Sequence, residues 1–241
     1  EIVLYKESYS GIDREYDENG NLAVQIFLDE NGEKTVCKAG YAELRRVFND
    51  KKQVIEEAYY DAEGQPFVTT NDFASFKQEL DEAGNAVVIV YYDAEGNRVL
   101  HKGGGYAELR RNFNDKKQPI HEEHYGVDGE AVTFLNEVYY QIDREYDAAG
   151  NISEERYYGK DSEPILITSG YHKVERSWTE QKKKASEAYY GTEGEPILCK
   201  DGYSRIEWTY NEKGEVETEK KYGIDGNEIA EATEETEPAG L

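Results

Sequence analysis

The sequence has no methionine, two cysteines and five prolines among its 241 residues. Cys37 and Cys199 lie far apart and lack the short spacing of a metal-binding pair. No apolar run approaches the ~18 residues of a membrane-spanning helix, so we expect no membrane insertion. Since the chain begins at Glu1 and shows no signal peptide, we interpret it as a monomeric fragment of a longer repeat protein.

Basic residues are also scarce, because 28 Lys and Arg stand against 52 Asp and Glu, for a formal charge of -24. This charge argues against binding to nucleic acid or to an anionic membrane, which both attract cations. Leu, Ile, Val and Phe together make roughly a fifth of the chain, a composition that by itself indicates disorder. The 21 tyrosines change this expectation, because tyrosine buries its ring while its hydroxyl stays in water. We predict a thin, ordered fold held by rows of rings.

An internal repeat of 32 to 33 residues is the strongest feature of the sequence and predicts a repeat array. Its seven units start near Tyr9, Tyr41, Phe73, Tyr106, Tyr139, Tyr171 and Tyr203. The fourth residue of the first turn is Gly in one unit and Lys in the next, and this alternation indicates a two-unit superperiod. Residues 1–8 resemble the end of a preceding unit, so residues 1–229 are predicted to form one array. The acidic residues 230–241 are predicted to be a disordered tail.

Two strands are predicted in each unit. Apolar residues stand three positions after every unit start, at Ile12, Leu44, Phe76, Leu109, Ile142, Val174 and Ile206. Four positions further, every unit has a large apolar residue, at Tyr16, Phe48, Leu80, Phe113, Tyr146, Trp178 and Tyr210. Between the two, on the same strand face, most units have an arginine. We predict that these guanidinium groups lie across rings of neighbouring repeats and stabilise the array.

Asp- and Gly-rich turns follow both strands. The segments DENGN and DAAGN place Asp first and Gly fourth, as in a type I turn followed by a left-handed glycine. Where Lys replaces Gly, as in NDKKQ, we expect either strain of about 1 kcal/mol or a rebuilt loop. No segment has the apolar periodicity of a helix. The predicted fold is all-β, with tandem antiparallel hairpins in an open spiral or solenoid; the alternative is a closed, seven-bladed propeller.

Two motifs resemble known bacterial repeats. REYDENGNL and REYDAAGNI resemble the tyrosine-aspartate (YD) repeats of Rhs-type surface and toxin proteins. AYYDAEGQPF and VYYDAEGNRVLHKG are similar to the choline- or glucan-binding cell-wall repeats of Gram-positive bacteria. These resemblances imply a bacterial hairpin array that is extracellular or located on the cell surface.

An aromatic pair precedes the second turn of most units. Its second member is bulky in every unit, as a core position requires, whereas the first includes His124 and Lys221 and is predicted to be exposed. Exposed tyrosines beside glutamates are suited to sugar rings or to a quaternary ammonium such as choline. The alternative is a solvated face whose tyrosines only fill cross-strand pairs. The candidate ligand-binding residues are Tyr59, Tyr91, Tyr157, Tyr189, Glu57, Glu155 and Glu187.

No motif predicts catalysis, a metal site or a cofactor. The two histidines of HEEH, residues 121–124, would face opposite sides of a strand, which does not favour zinc binding. No Ser or Cys recurs beside a His, as nucleophilic catalysis requires. The leading hypothesis is a non-enzymatic module that binds cell-wall glycan or another surface polymer at many weak sites. The alternative is a structural spacer or protein-interaction scaffold without a small-molecule site.

Overall fold

The computed structural model describes residues 9–230, so the predictions for residues 1–8 and for the tail from residue 231 lie outside the described residues. Between residues 9 and 230 the chain forms fourteen strands and no helix, and the strand order follows the chain order. The strands are β1 (Gly11–Tyr16), β2 (Leu22–Leu28), β3 (Glu43–Phe48), β4 (Val54–Tyr60), β5 (Ser75–Leu80), β6 (Ala86–Tyr92), β7 (Glu108–Phe113), β8 (Pro119–Tyr125), β9 (Gln141–Tyr146), β10 (Ile152–Tyr158), β11 (Lys173–Trp178), β12 (Lys184–Tyr190), β13 (Arg205–Tyr210) and β14 (Val216–Tyr222).

The chain divides after Ile142 into two compact units. In the first unit, hairpins β1–β2, β3–β4, β5–β6 and β7–β8 are joined edge to edge by antiparallel pairing of β2 with β3, β4 with β5 and β6 with β7. In the second unit, β10 to β14 pair in the same manner. The tandem hairpin array is thereby confirmed. The propeller alternative is wrong, because propeller blades are separate sheets, whereas the hairpins within each unit are joined edge to edge. A single array over residues 1–229 stays a prediction.

Pairing is longer within a hairpin than between hairpins. Strands β3 and β4 pair along their whole length, from Glu43 opposite Tyr60 to Phe48 opposite Val54. Strands β2 and β3 pair only from Val24 opposite Arg45 to Ile26 opposite Glu43. Beyond these short stretches of backbone pairing, side chains donate hydrogen bonds to carbonyl groups of the neighbouring hairpin. The donors and acceptors are Gln78 Nε2 to Val54 O at 2.7 Å, Trp178 Nε1 to Ile152 O at 2.8 Å and Tyr210 Oη to Lys184 O at 2.7 Å.

The first turn of each repeat has the predicted geometry. The Asp17 carboxylate accepts hydrogen bonds from the backbone N–H groups of Asn19 at 3.0 Å and Asn21 at 2.8 Å, and Gly20 has a φ of 78°. In the Lys-bearing turns the loop is not rebuilt, since Lys52 keeps a φ of 61°. Lys52 Nζ instead donates to the carbonyl of Asn19, in the turn of the preceding repeat, at 3.2 Å. Lys117 Nζ contacts Ala83 O in the same way at 2.8 Å, so the Gly and Lys turns of the superperiod bind one another.

The core follows the predicted apolar row. Leu44, Leu109, Ile142, Val174 and Ile206 are all buried, and Val174 is fully inaccessible. These residues lie on the sheet face that also carries the first member of each aromatic pair, because Leu44 is directly opposite Tyr59 and Val174 opposite Tyr189. The row therefore places the candidate residues beside the core.

Candidate functional site

The first members of the aromatic pairs and the residues that start the repeats form a row of rings in each unit, which we call the aromatic ladder. In the first unit its members are Tyr9, Phe27, Tyr41, Tyr59, Phe73, Tyr91, Tyr106, His124 and Tyr139; in the second they are Tyr157, Tyr171, Tyr189 and Tyr203. Successive ring centroids lie 4.8 to 6.2 Å apart, mostly tilted or edge to face. This is the separation at which aromatic pairs attract each other.

The predicted exposure of the first pair member is wrong. Tyr157 and Tyr189 are each 7% exposed and His124 is 3% exposed, while Tyr59 and Tyr91 are half-buried. The second members, including Tyr60 and Tyr190, are half-buried on the opposite face. Four of the candidate tyrosines thus belong to the ladder, and none of them is an open platform.

The segment that follows the second turn closes the ladder. It folds back so that the N–H of Phe67 donates to Tyr59 O at 2.8 Å, and the Phe67 ring lies 6.5 Å from the ring of Tyr41. His101, in the next repeat, lies 4.8 Å from Tyr91. The sequence analysis gave this segment no packing role. The available signal was the short apolar run in stretches such as PILI and PILC.

The predicted exposure rested on His124 and Lys221, and the structure explains each of these residues differently. His124 is buried because its Nδ1 lies 2.8 Å from the backbone oxygen of Tyr140, so a polar ring is satisfied inside the ladder. Lys221 is exposed, but it lies on β14, the last strand of the described chain. There its Nζ lies 5.4 Å from the Tyr203 ring centroid and 3.0 Å from Glu219. A repeat position that accepts polar or charged residues is therefore not by that fact an exposed position.

The candidate glutamates lie beside the ladder and are engaged by tyrosine and arginine. Tyr189 Oη donates to Glu187 at 2.9 Å, Tyr157 Oη donates to Glu155 at 3.1 Å, and Tyr59 Oη donates to Glu57. Each carboxylate also accepts from an arginine of its own hairpin, with distances of 2.7 Å from Arg46 to Glu57, 3.0 Å from Arg144 to Glu155 and 2.9 Å from Arg176 to Glu187. The structure thus brings six of the seven candidates into Tyr–Glu–Arg groups. Tyr91 differs, because Ile89 occupies the glutamate position.

One arginine joins two repeats. The Nη1 of Arg176 lies 2.6 Å from Glu155 of the preceding hairpin while its Nε binds Glu187. Burial raises the pKa of the Glu155 carboxyl, but the nearby Arg176 and Arg144 outweigh it and hold that pKa below the usual range. Burial and the adjacent glutamates raise the pKa of Tyr157 and Tyr189. At neutral pH the carboxylates are therefore ionised and the phenols are donors, which is the state that the network needs.

The arginine row does not lie across rings of neighbouring repeats as predicted; the guanidinium carbon of Arg111 lies 5.3 Å from the ring centroid of Phe113, in its own strand. Arg46, Arg144 and Arg176 bind glutamates instead. On the opposite face, cation–π contacts are made by Arg45 and Arg110, one position before the row, and by Arg205. Their distances from guanidinium carbon to ring centroid are 4.2 Å for Arg45 over Tyr60, 4.3 Å for Arg110 over Tyr125 and 4.1 Å for Arg205 over Tyr222. The stabilising role assigned to the row agrees with these ion pairs, although its partners differ.

A cleft of about 340 Å³ adjoins this network in the second unit. Ile152 and the Trp178 ring form its apolar part, while Glu155, Arg176 and Lys184 supply charged groups. Glu155 is the single member of the candidate set that lines it.

In five of the seven repeats, one aliphatic side chain points away from the ladder. Val68 illustrates the reason: its neighbours Phe67 and Thr69 bond through their N–H groups to Tyr59 O and Phe73 O, so the side chain between them faces solvent. The equivalent residues, which we call the aliphatic row, are 44% to 47% exposed: Val36, Val68 and Leu100 in the first unit, and Leu166 and Leu198 in the second. Sequence reasoning did not identify this row.

Other chemistry has little support in the structure. Among residues 9–230, no group of three or more His, Cys, Asp and Glu side chains is placed to hold a metal ion. The same part of the chain contains no helix that is long and apolar enough to cross a membrane.

Comparison with known proteins gives similarity to solved structures only, since no family model and no curated protein matches the sequence. The crystal structure of TcdB2-TccC3-TEV matches 90% of this chain at 9% identity with a TM-score of 0.44. That of TcdB2-TccC3 matches 89% at 13% identity with a TM-score of 0.34. The Photorhabdus luminescens Tc holotoxin pore matches 88% at 11% identity with a TM-score of 0.32. This chain spans only 11% to 12% of those chains, and similarity at this level carries no argument about activity or partners.

Proposed function

We propose that the chain is a non-enzymatic scaffold of a bacterial surface or secreted protein, and that it presents the aliphatic row to a protein partner. The observation that carries this proposal is the recurrence of one exposed aliphatic residue at the same place in five repeats. Two strands separate successive members, so within a unit they stand about 9.6 Å apart, twice the strand spacing. Their regular spacing along one line distinguishes the row from the singly scattered apolar residues that protein surfaces normally carry.

The ladder supports a scaffold role in a second way. Its tyrosine hydroxyls and glutamates bind one another and the arginines, so the polar groups that a small ligand would need already have partners within the sheet. Such a network holds neighbouring hairpins in register. The array is therefore suited to display a surface, and the aliphatic row is the surface that it displays.

Site-specific photo-crosslinking tests the scaffold role. A photo-reactive amino acid at position 68 is expected to capture a discrete protein in the cells that produce this chain. The triple variant Val36→Ser, Val68→Ser, Leu100→Ser, with the photo-reactive residue moved to Thr35, is expected to lose the adduct. The matched control replaces Val47, Ile120 and Val127, which are exposed aliphatic residues of the same unit outside the row. No adduct at position 68, or equal loss in the control, would overturn the proposal.

Polymer binding is a second candidate, favoured by the cleft beside Trp178. Its apolar ring and adjacent charged groups have the chemistry that stacks on a sugar and bonds to its hydroxyls. The candidate set of Tyr59, Tyr91, Tyr157, Tyr189, Glu57, Glu155 and Glu187 would contribute through Glu155. Sedimentation with insoluble cell wall tests this candidate. Trp178→Ala and Glu155→Gln are expected to reduce the bound fraction, whereas Trp208→Ala is not; binding that neither variant changes would sink the site.

A further inference from the structure

Two histidines pack against rings of the aromatic ladder, and their ring nitrogens differ in hydrogen bonding. The Nδ1 of His124 lies 2.8 Å from the backbone oxygen of Tyr140. The Nδ1 of His101 is also buried, but it has no hydrogen-bond partner among residues 9–230. The centroid of the His101 ring lies 5.8 Å from that of Phe73, 4.8 Å from that of Tyr91 and 6.0 Å from that of Tyr106. Protonating His101 in this position costs free energy, because a buried charge needs a partner.

The side chains packed against His101 do not offset that cost. Those that titrate are Tyr91 and Tyr106, whose hydroxyls are bonded to each other and whose pKa values are raised by burial. Both phenols therefore stay neutral in mild acid. Beyond them, Arg111 acts on both phenols and Glu122 acts on Tyr106, so one charge of each sign lies behind the rings.

The charged groups nearest to His101 along the chain are engaged elsewhere or lie in water. Arg98 Nη1 binds Glu108 at 2.9 Å, Lys102 is exposed, and Asp72 of the preceding repeat is exposed as well. Burial therefore lowers the pKa of His101 below its ordinary 6.5. Because the packed ring binds a proton less readily than the free ring, the stability of the packing is complete above pH 6.5 and is lost as pH falls through the folded-state pKa.

His101 lies on the segment that closes the ladder in the third repeat, residues 98–104, which we call the third strap. Three backbone N–H groups bind the middle of this strap. The donors and acceptors are Val99 N to Tyr91 O at 3.1 Å, His101 N to Tyr106 O at 2.7 Å and Lys102 N to Asn71 O at 3.0 Å.

The two ends of the third strap are anchored separately. Arg98 binds Glu108 at the start, and Leu135 N donates to Gly104 O at 2.9 Å at the end. Gly103 lies between the middle and the second anchor, where its lack of a side chain leaves the backbone free to rotate. A segment that few hydrogen bonds hold between two anchors can open locally while the sheet stays folded.

Opening the middle of the third strap would disturb the aliphatic row. Leu100, which is 45% exposed, lies between Val99 and His101 and belongs to the row together with Val36 and Val68 of the same unit. If His101 leaves the ladder, Leu100 moves with it because the two residues are adjacent in the chain. The row then loses the regular spacing that makes it a continuous surface.

We propose that the third strap is an acid-sensitive latch, in which protonation of His101 releases the middle of the strap from the ladder and displaces Leu100 from the aliphatic row. A partner bound to the row would then dissociate in mild acid. The latch itself stands on the packing of His101, whereas the release of a partner rests on the scaffold role proposed above. The other straps of the first unit have Cys37, Thr69 and Phe134 at the equivalent position, so they lack the titrating ring.

Hydrogen exchange followed by mass spectrometry tests the latch, with measurements at about pH 7.5 and about pH 5.5. After correction for the intrinsic effect of pH on exchange, residues 99–102 are expected to lose up to about tenfold of their protection in acid. That is the factor by which one proton, bound with a pKa near 6.5, favours the open form one unit lower. Residues 67–70 are the internal control, because Thr69 does not titrate. Equal changes in the two segments would overturn the proposal.

Three variants assign the effect to His101. His101→Phe is expected to keep the strap closed at both pH values, because Phe134 fills the equivalent place in the next repeat with its ring 5.7 Å from that of Tyr139. His101→Thr, which copies the second repeat, is expected to remove the acid effect as well. His121→Gln removes an imidazole outside the ladder and is expected to leave the effect unchanged. Circular dichroism checks that each variant keeps its strands. Acid opening that persists in both His101 variants would overturn the proposal.

Photo-crosslinking at position 68 separates the latch from the scaffold role. The adduct is expected to weaken at about pH 5.5 in the unmodified chain but not in His101→Phe. Loss of strap protection with no adduct at either pH would overturn the scaffold role and leave the latch standing. An adduct at both pH values with unchanged strap protection would overturn the latch and leave the scaffold role standing.

Discussion

Tyr189 and Tyr190 are neighbours in the sequence but have different surroundings. Tyr189 lies in the aromatic ladder, 4.8 Å from the ring of Tyr171, and its hydroxyl donates to the buried carboxylate of Glu187. Tyr190 lies on the opposite face, where Lys173 Nζ stands 4.2 Å from its ring centroid and its hydroxyl donates to Glu175. Both tyrosines have a ring contact and a carboxylate partner. What differs is exposure to water: Tyr189 is 7% and Glu187 8% exposed, whereas Tyr190 is half-buried and the Glu175 side chain is 44% exposed.

This comparison shows that the two faces stabilise the repeats unequally. Ion pairs and hydrogen bonds that are shielded from water contribute more when intact and cost more when broken than the same contacts in solvent. The ladder face also connects successive hairpins, since Arg176 bridges Glu155 and Glu187. We therefore expect matched substitutions on the two faces to have different effects.

The largest difference is expected from removing the rings. Tyr189→Ala should lower the free energy of unfolding by about 4 kcal/mol, because it leaves a cavity between Tyr171 and Tyr203. Tyr190→Ala should lower it by about 2 kcal/mol, because its site is already half open to water. Urea denaturation followed by circular dichroism measures both values. Equal losses would mean that the two faces contribute alike.

The second-largest difference in stability is expected from removing an arginine on each face. Arg176→Ala is expected to lower the free energy of unfolding by about 3 kcal/mol, since Glu155 and Glu187 lose a shared buried partner. Arg205→Ala, which removes a half-exposed contact with Tyr222 and Glu207, should cost about 0.5 kcal/mol. The same urea titrations apply. A cost for Arg205→Ala that matches or exceeds that for Arg176→Ala would contradict the expectation.

Removing only the hydroxyl groups gives a smaller and more specific comparison. Tyr189→Phe should cost about 1.5 kcal/mol, because Glu187 loses a donor where water does not replace it. Tyr190→Phe should cost about 0.5 kcal/mol, because Glu175 can bond to solvent. Both variants keep the ring, so they act as controls for the alanine substitutions. A larger loss from Tyr190→Phe would reverse the assignment of the wet and dry faces.

The smallest difference between the two faces is expected in the loss of stability at acid pH. Burial raises the pKa of the Glu187 carboxyl, but Lys184 and Arg176 outweigh it, and the folded-state pKa lies below the ordinary 4.5. The resulting stability is present above the unfolded pKa and is lost as pH falls through the folded value. Glu187→Gln should therefore flatten the fall in thermal midpoint below pH 4.5 more than Glu175→Gln, whose carboxyl is 44% exposed. The reverse ranking of the two slopes would count against a dry ladder face.

The turns and strands were predictable because their causes are local. Asp17 and Gly20 form their turn through hydrogen bonds and a φ that depend on a few adjacent residues. The buried row that includes Leu44 and Val174 follows from strand alternation together with the repeat. Comparing seven units revealed both patterns without knowledge of the packing.

The face of the aromatic pair was not predictable by the same means. His124 indicated exposure because histidine is polar, but the carbonyl of Tyr140 satisfies its ring in the interior. Lys221 indicated exposure because it is charged, but it lies on the outermost described strand, and its Nζ lies 5.4 Å from the ring centroid of Tyr203. Both misleading residues depend on contacts with parts of the chain that are remote from the pair itself.

The sequence by itself determined the repeat, the hairpins, their turns and the acidic surface, because spacing and composition express interactions between near neighbours in the chain. Only the tertiary structure decided that Tyr157 and Tyr189 are interior while Val68 is exterior. The physical reason is that the segment after the second turn folds back over the ladder, and the water that it excludes is what distinguishes one face of a strand from the other.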